Sequence, residues 1–167
     1  MLLYNKAVDV NHTLLRFAAL ILMLDVKVVE LDRLRIYDFV VANPFHVSKL
    51  SLGQDLLKAK NVFKSYANRY QIYDPKGLFE SMRPVQNIAI LNLKEMGVLL
   101  EDAYSGRYLL QPDEIPDQLA RIAQDKENSV SSQALKFIEE HLVVMDLVGP
   151  KGLKQASGLM EYRYDVA

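Results

Sequence analysis

The stretch "TLLRFAALILML", Thr13 to Leu24, constrains the fold of this chain more than any other. At about 100° per residue its apolar side chains point in every direction, and only Arg16 interrupts them. A helix that is apolar all round is buried on all sides or lies in lipid. Spanning a bilayer takes about 20 residues, more than this run offers. The helix is therefore expected at the centre of a core, or with one face, Leu22 included, covered by a partner chain. Asn11 or Thr13 is placed to cap its N-terminus.

The rest of the chain supplies short elements to surround that helix. Val29, Arg33, Ile36 and Val40 recur at helical spacing and predict a helix from Val29 to Val41, stopped by Pro44. A further helix is expected from Gln54 to Tyr66. "YDPKG" (Tyr73 to Gly77) reads as a turn and "LFESM" as one short helix. Arg83-Pro84 opens the next helix, with proline at the favoured first position, and Gly97 closes it. "VLLED" and "RYLL" are strands, joined by the turn "AYSG". Pro112 and Pro116 bracket a polar link. Helices then follow near Asp117 to Asp125 and Val130 to Met145. "GPKGLKQASG" reads as a loop, and the last residues as an arm.

The fold class is mainly α with one β-hairpin. Short helix, turn, longer helix, hairpin is the order of a winged helix-turn-helix, here with additional N- and C-terminal helices. Residues 1–115 would hold the helical N-terminal part and the winged-helix core. Residues 116–167 would hold the C-terminal helices and tail, packed on the same domain.

Winged helices read DNA or dock on proteins, and the helix after Pro84 carries groups of both kinds. Val85, Ala89, Leu93 and Met96 share its expected core face, with Ile88 at the edge. Arg83, Asn87, Ile90, Leu91 and Lys94 point away. Arg83, Gln86 and Asn87 suit base edges and phosphates, as do Tyr104 and Arg107 on the wing. Ile90 and Leu91 do not, and Glu101 and Asp102 beside the wing repel phosphate. The formal net charge of −1 also argues against a free-standing DNA-binding domain, because neutralising phosphates supplies much of the affinity of such domains. The balance favours a protein-docking surface built from Asn87, Ile90, Leu91, Lys94 and Leu22. DNA contact through Arg83, Gln86, Asn87, Tyr104 and Arg107 is a second role.

Catalytic constellations are weak. The absence of cysteine excludes disulfides, thiolate zinc sites and cysteine nucleophiles. Asp25-Val26-Lys27, with Asp9 upstream, matches the D-x-K part of a metal-dependent nuclease motif. That chemistry needs its residues on adjoining strands around a metal, and here they follow a long helix. Glu139, Glu140 and His141 are helix neighbours about 100° apart and do not share an ion easily. His12 and His46 read as capping or packing residues. The seven glycines are scattered, without the cluster a phosphate loop needs. We expect no enzymatic activity, no metal and no cofactor. Asn11-His12-Thr13 matches a glycosylation sequon, but no signal-peptide pattern precedes it. The expected location is cytoplasmic, with no membrane contact.

Two segments carry a family resemblance. "LDRLRIYDFVVANPFHVSKL" (Leu31 to Leu50) resembles the N-terminal signature of the middle components of bacterial three-component ABC-ATPase systems. The matching positions are a basic residue (Arg33), an aliphatic-aspartate-phenylalanine core (Asp38, Phe39) and a later proline (Pro44). "MRPVQNIAILNLKEMGVLL" and its hairpin are similar to the winged-helix part of the same group, and the resemblance spans Leu14 to Leu110. It implies a small adaptor that acts with an SMC-like ABC ATPase and an effector. In the Lamassu-type anti-phage and anti-plasmid systems of this group, the small subunit bridges the ATPase and a nuclease or other effector. No catalytic residue is carried over, because the group's motif contains none.

Overall fold

Asp9 starts the central helix. Its carboxylate accepts a hydrogen bond from the backbone N–H of His12, so the N-cap is Asp9 rather than Asn11 or Thr13. In a computed structural model, which describes residues 4–68, 72–126 and 130–160, this helix, α1, runs Val10–Met23. No residue from Thr13 to Leu24 is exposed. Phe17, Ala18, Leu20 and Ile21 are almost completely buried, as an all-round apolar helix requires. α1 packs chiefly on two helices that come much later in the chain, α4 (Pro75–Glu95) and α5 (Asp117–Gln124).

After α1 comes a short strand, β1 (Val28–Glu30), and then α2 (Leu31–Ala42). The helix expected from Val29 therefore starts two residues later. Val29 pairs with Tyr108 of β3 (Arg107–Leu110) instead. A β-branched residue facing a core, as Val29 does, favours a strand, and the helical spacing could not register that distant partner. Pro44 does not simply stop α2 but begins a 3-10 segment, Pro44–Lys49. The helix expected from Gln54 to Tyr66 is there in three short pieces: a 3-10 turn, α3 (Leu57–Asn61) and a second 3-10 segment, Val62–Tyr66.

The largest departure lies in α4. The expected turn, short helix and second helix form one unbroken helix, Pro75–Glu95. Asp74 caps it through a hydrogen bond accepted from Gly77 N, and Pro75, not Pro84, holds the first position. Pro84 sits inside the helix, where it removes one backbone hydrogen bond. The helix continues because Phe79, Met82, Gln86, Ala89, Ile90 and Leu93 form one buried stripe on both sides of the proline. Burying each large apolar group in that stripe is worth about 1.5–3 kcal/mol. Gly97 closes the helix as expected, in the left-handed region at φ 78°.

The hairpin of β2 (Leu99–Glu101) and β3 is present, and β1 makes it a three-stranded antiparallel sheet with order β1-β3-β2. Leu99 and Leu110 face the core. Leu100, Leu109 and Val28 pair across the other face. α5 follows, then α6 (Ser132–Phe137), which continues through a π-helical turn over Ile138–Leu142.

"GPKGLKQASG" is not a loop. It contains α7 (Leu153–Ser157), most of it buried. Lys154 Nζ lies 2.9 Å from Asp32 Oδ2 of α2, and Ser51 N donates to the Ala156 carbonyl. Gly152 allows the close approach: a Cβ there would lie 2.3 Å from the Val148 carbonyl oxygen. One buried cluster takes side chains from both sides of Pro116, among them Phe17, Phe39, Leu93, Ala123, Phe137 and Leu153. The expected terminal arm lies outside the described residues.

Candidate partner-binding surfaces

Beneath α4, the residue that interrupts the apolar run of α1 meets the aspartate at the heart of α2. Arg16 Nε donates to Asp38 Oδ1 at 2.6 Å, and Nη2 to Oδ2 at 3.2 Å. The remaining guanidinium donors reach the carbonyls of Lys6 and Ala7 and the Thr13 hydroxyl. Gln86 Nε2 of α4 also donates to Asp38 Oδ2, at 2.8 Å. Asp38 and Gln86 are fully buried and Arg16 nearly so. One carboxylate thus ties three helices together, and every nitrogen of the Arg16 guanidinium has an acceptor, which an ion pair at this depth needs.

The next residue, Phe39, packs edge-on against Phe79 of α4 and against the ring of His46. His46 Nε2 lies 2.8 Å from the Ser157 carbonyl and must donate to it. Nδ1 is then the acceptor for the Tyr73 hydroxyl. Burial holds the imidazole below its ordinary pKa, with Lys49 adding to the effect. The motif residues Asp38 and Phe39 therefore act as anchors within the core. Arg33 pairs with Glu30 at 2.8 Å at the sheet edge.

The outer side of α4 has the opposite character. Leu91 is 57% and Ile88 47% exposed, and Leu100 of the neighbouring β2 is 43% exposed. Asn87 is exposed and accepts from Arg35. Lys94 Nζ contacts Glu101 at 2.7 Å and lies over the Tyr108 ring.

Several site residues expected from the sequence sit elsewhere. Ile90 faces the core at 5% exposure, so it is not part of an outward face. Ile88, expected at the core edge, takes its place. Gln86 is buried on Asp38 and cannot reach a nucleic acid. Leu22 is half-buried and lines an open cleft with Ala123, Val130 and Leu135. Arg83 is engaged with Glu80 at 3.3 Å. On the hairpin, Arg107 stacks over Tyr104 at 4.9 Å and pairs with Asp102 at 2.9 Å. Both remaining phosphate candidates thus already have a carboxylate neighbour. Sequence periodicity missed Arg16 and Asp38. The one signal was a lone arginine inside an apolar run.

Among the described residues, no three acidic or histidine side chains converge as a metal site. Asp25 and Lys27 lie exposed on the link between α1 and β1. His141 packs on Phe137 and lies near Glu140. No described helix is long and apolar enough to cross a membrane.

The sequence profile of the family described as ABC-three component (ABC-3C) system Middle Component 5 matches residues 2–165. The chain belongs to this family. No curated protein and no solved structure matches it. The match includes the C-terminal helices beyond Leu110, so the middle component's family likeness takes in α5, α6 and α7 as well as the two segments that first suggested it.

Proposed function

We propose that this middle component is a non-enzymatic, cytoplasmic adaptor with a winged-helix core, in which the outer face of α4 docks on another protein of its system. Membership of a multi-component ABC system implies partners. The observation that carries the docking reading is the exposed aliphatic pair Ile88 and Leu91, three residues apart on one side of α4. Exposed clustered aliphatics mark docking sites. The succession α1, β1, α2, α4, hairpin and the sheet order β1-β3-β2 support the winged-helix reading. The partner is an SMC-like ABC ATPase, and the adaptor bridges it to an effector such as a nuclease, as in Lamassu-type anti-phage defence.

The alternative is a winged-helix transcription regulator that reads DNA through Arg83, Asn87, Tyr104 and Arg107. The carboxylates already facing both arginines disfavour it. Pull-down of the ATPase with Ile88→Asp/Leu91→Asp separates the two, beside Arg83→Ala/Arg107→Ala. Losing a central apolar anchor typically weakens binding by about 2 kcal/mol or more. We expect the aspartate pair to release the partner and the alanine pair to keep it. Retention by the aspartate pair, with loss of DNA affinity in the alanine pair, would favour the regulator.

A further inference from the structure

Among the described residues the buried lysines and arginines are Arg16, Arg35 and Lys154, at 4%, 6% and 6% exposure. Two of them have a carboxylate. Arg16 pairs with Asp38 at 2.6 Å and Lys154 with Asp32 at 2.9 Å. Arg35 of α2 has none among the described residues. Its side chain makes one hydrogen bond there, from Nη2 to Oδ1 of Asn87 on α4, and its Nε is shut off from solvent without an acceptor. Exposed cations such as Lys27 and Lys151 are satisfied by water. A guanidinium at the depth of Arg35 is not, and it keeps its charge at any ordinary pH. Burial pushes its pKa down and nearby Arg83 pushes it the same way, while Asp32, Tyr108 and Glu80 act in the opposite direction. Asp32 and Glu80 are already engaged, with Lys154 at 2.9 Å and with Arg83 at 3.3 Å. The charge of Arg35 is left over.

That charge lies at the edge of the outer face of α4. Arg83, Asn87 and Leu91 recur at four-residue spacing, so they line one strip of the helix. Asn87 is exposed. A guanidinium only donates, so the Asn87 amide must turn its oxygen to Arg35. Its Nδ2, without a partner among the described residues, is left as a donor beside exposed Leu91. An aspartate at position 87 has nearly the shape of asparagine and would supply the counter-ion within the chain. The chain carries the neutral amide instead.

We infer that Arg35 and Asn87 form a receptor for one carboxylate of the docking protein, an Asp or Glu side chain set beside the apolar groups that cover Ile88 and Leu91. The inference rests on the docking reading of this face and adds the chemistry of the partner at that point. A carboxylate accepts from the guanidinium and the amide together, and charge-assisted bonds of this kind are the strong ones. It also supplies the counter-ion that a buried cation needs. A nucleic acid fits less well. It brings a row of phosphates, and the groups that continue the strip are Glu80 on one side and Leu91 on the other. Arg83, engaged by Glu80, adds potential rather than a contact, so Arg83→Ala leaves the receptor in place.

The test uses two variants that should move stability and binding in opposite directions. Asn87→Asp gives Arg35 a counter-ion within the chain. Arg35→Met removes the charge and keeps an apolar stem. In the full chain without its partner, each should raise the thermal midpoint, by about 2–4 °C. Each should weaken binding of the ATPase by about thirty-fold or more, mainly through faster dissociation. A purely structural arginine would instead lose stability in Arg35→Met. Leu91→Asp, measured alongside, keeps the two readings apart. Release of the ATPase by Leu91→Asp, with both other variants retaining it, leaves the docking reading standing and overturns the carboxylate receptor. Retention by all three overturns both. An unchanged or lower midpoint in either Asn87→Asp or Arg35→Met would mean that the free chain already compensates the guanidinium. Loss of DNA affinity in Arg35→Met, with the ATPase retained, would assign the guanidinium to phosphate. Either of these results overturns the inference.

Discussion

Each side of α4 carries an exception to the usual distribution of polar and apolar groups. Its inner face buries Gln86 on the Arg16–Asp38 pair. Its outer face presents Ile88 and Leu91 to solvent. A helix selected only for stability would place these the other way round. The buried pair is a poor source of net stability, because desolvation offsets most of the Coulombic gain. What it supplies is geometry: the carboxylate of Asp38 can satisfy Arg16 and Gln86 together only if α1, α2 and α4 cross in one arrangement. The outer strip gives the folded chain nothing until something covers it. The inner face thus fixes how α4 is held, and the outer face is the one the proposed docking would use.

The sharpest way to break this comparison is to remove the shared carboxylate. Asp38→Ala leaves the Arg16 guanidinium buried without its counter-ion, and breaking such a pair costs about 3–5 kcal/mol. We expect insoluble protein, or a denaturation midpoint lowered to match. A variant with unchanged urea unfolding would mean that the junction does not organise the three helices.

Acid probes the same interior more gently. His46 is held neutral by burial, so its folded pKa lies below its unfolded one. Above about 6.5, the unfolded value, it is neutral in both states and adds no pH dependence. As pH falls below that value the unfolded chain takes up a proton that the folded chain resists, and stability declines until the folded pKa is passed. His46→Gln should remove that part of the decline. Burial raises the pKa of the Tyr73 hydroxyl that faces the ring, so it stays protonated throughout. Parallel stability curves for the two proteins between pH 7 and 5 would contradict the assignment.

The smallest effect belongs to the outer face. Leu91→Asp should change the stability of the isolated chain by no more than about 0.5 kcal/mol, as surface substitutions do, while Asp38→Ala unfolds it. A large thermal destabilisation by Leu91→Asp would show that Leu91 is packed within this chain and is not waiting for a partner.

The sequence carried the elements well where the signal was local. The all-round apolar α1, the glycine that ends α4, and the hairpin follow from periodicity and turn chemistry, and the structure contains them. It misled where a distant contact decided. Pro84 looked like a helix start, because proline favours the first position. Pro75 holds that position instead, and the buried stripe from Phe79 to Leu93 carries the helix past Pro84. That merger turned the core face, so Ile90 went inside, Ile88 came out, and Gln86 found a partner nearly fifty residues earlier. β1 and α7 were invisible for the same reason. A three-residue strand and a five-residue helix have little intrinsic stability, and they exist through Tyr108 and through the cover of Asp32, His46 and Ser51. The family likeness was legible in Asp38 and Phe39, but their task, as anchors of α1, α4 and α7, was not.

The central claim is that the outer face of α4 is covered by protein in the assembled system. A photo-crosslinking amino acid at Leu91, with a second copy of the experiment placing it at exposed Lys151, tests this in the whole complex. The account predicts a covalent link from position 91 to one partner polypeptide and none from position 151. A complex that assembles fully and yields no protein link from position 91, or a link to DNA there, would contradict it.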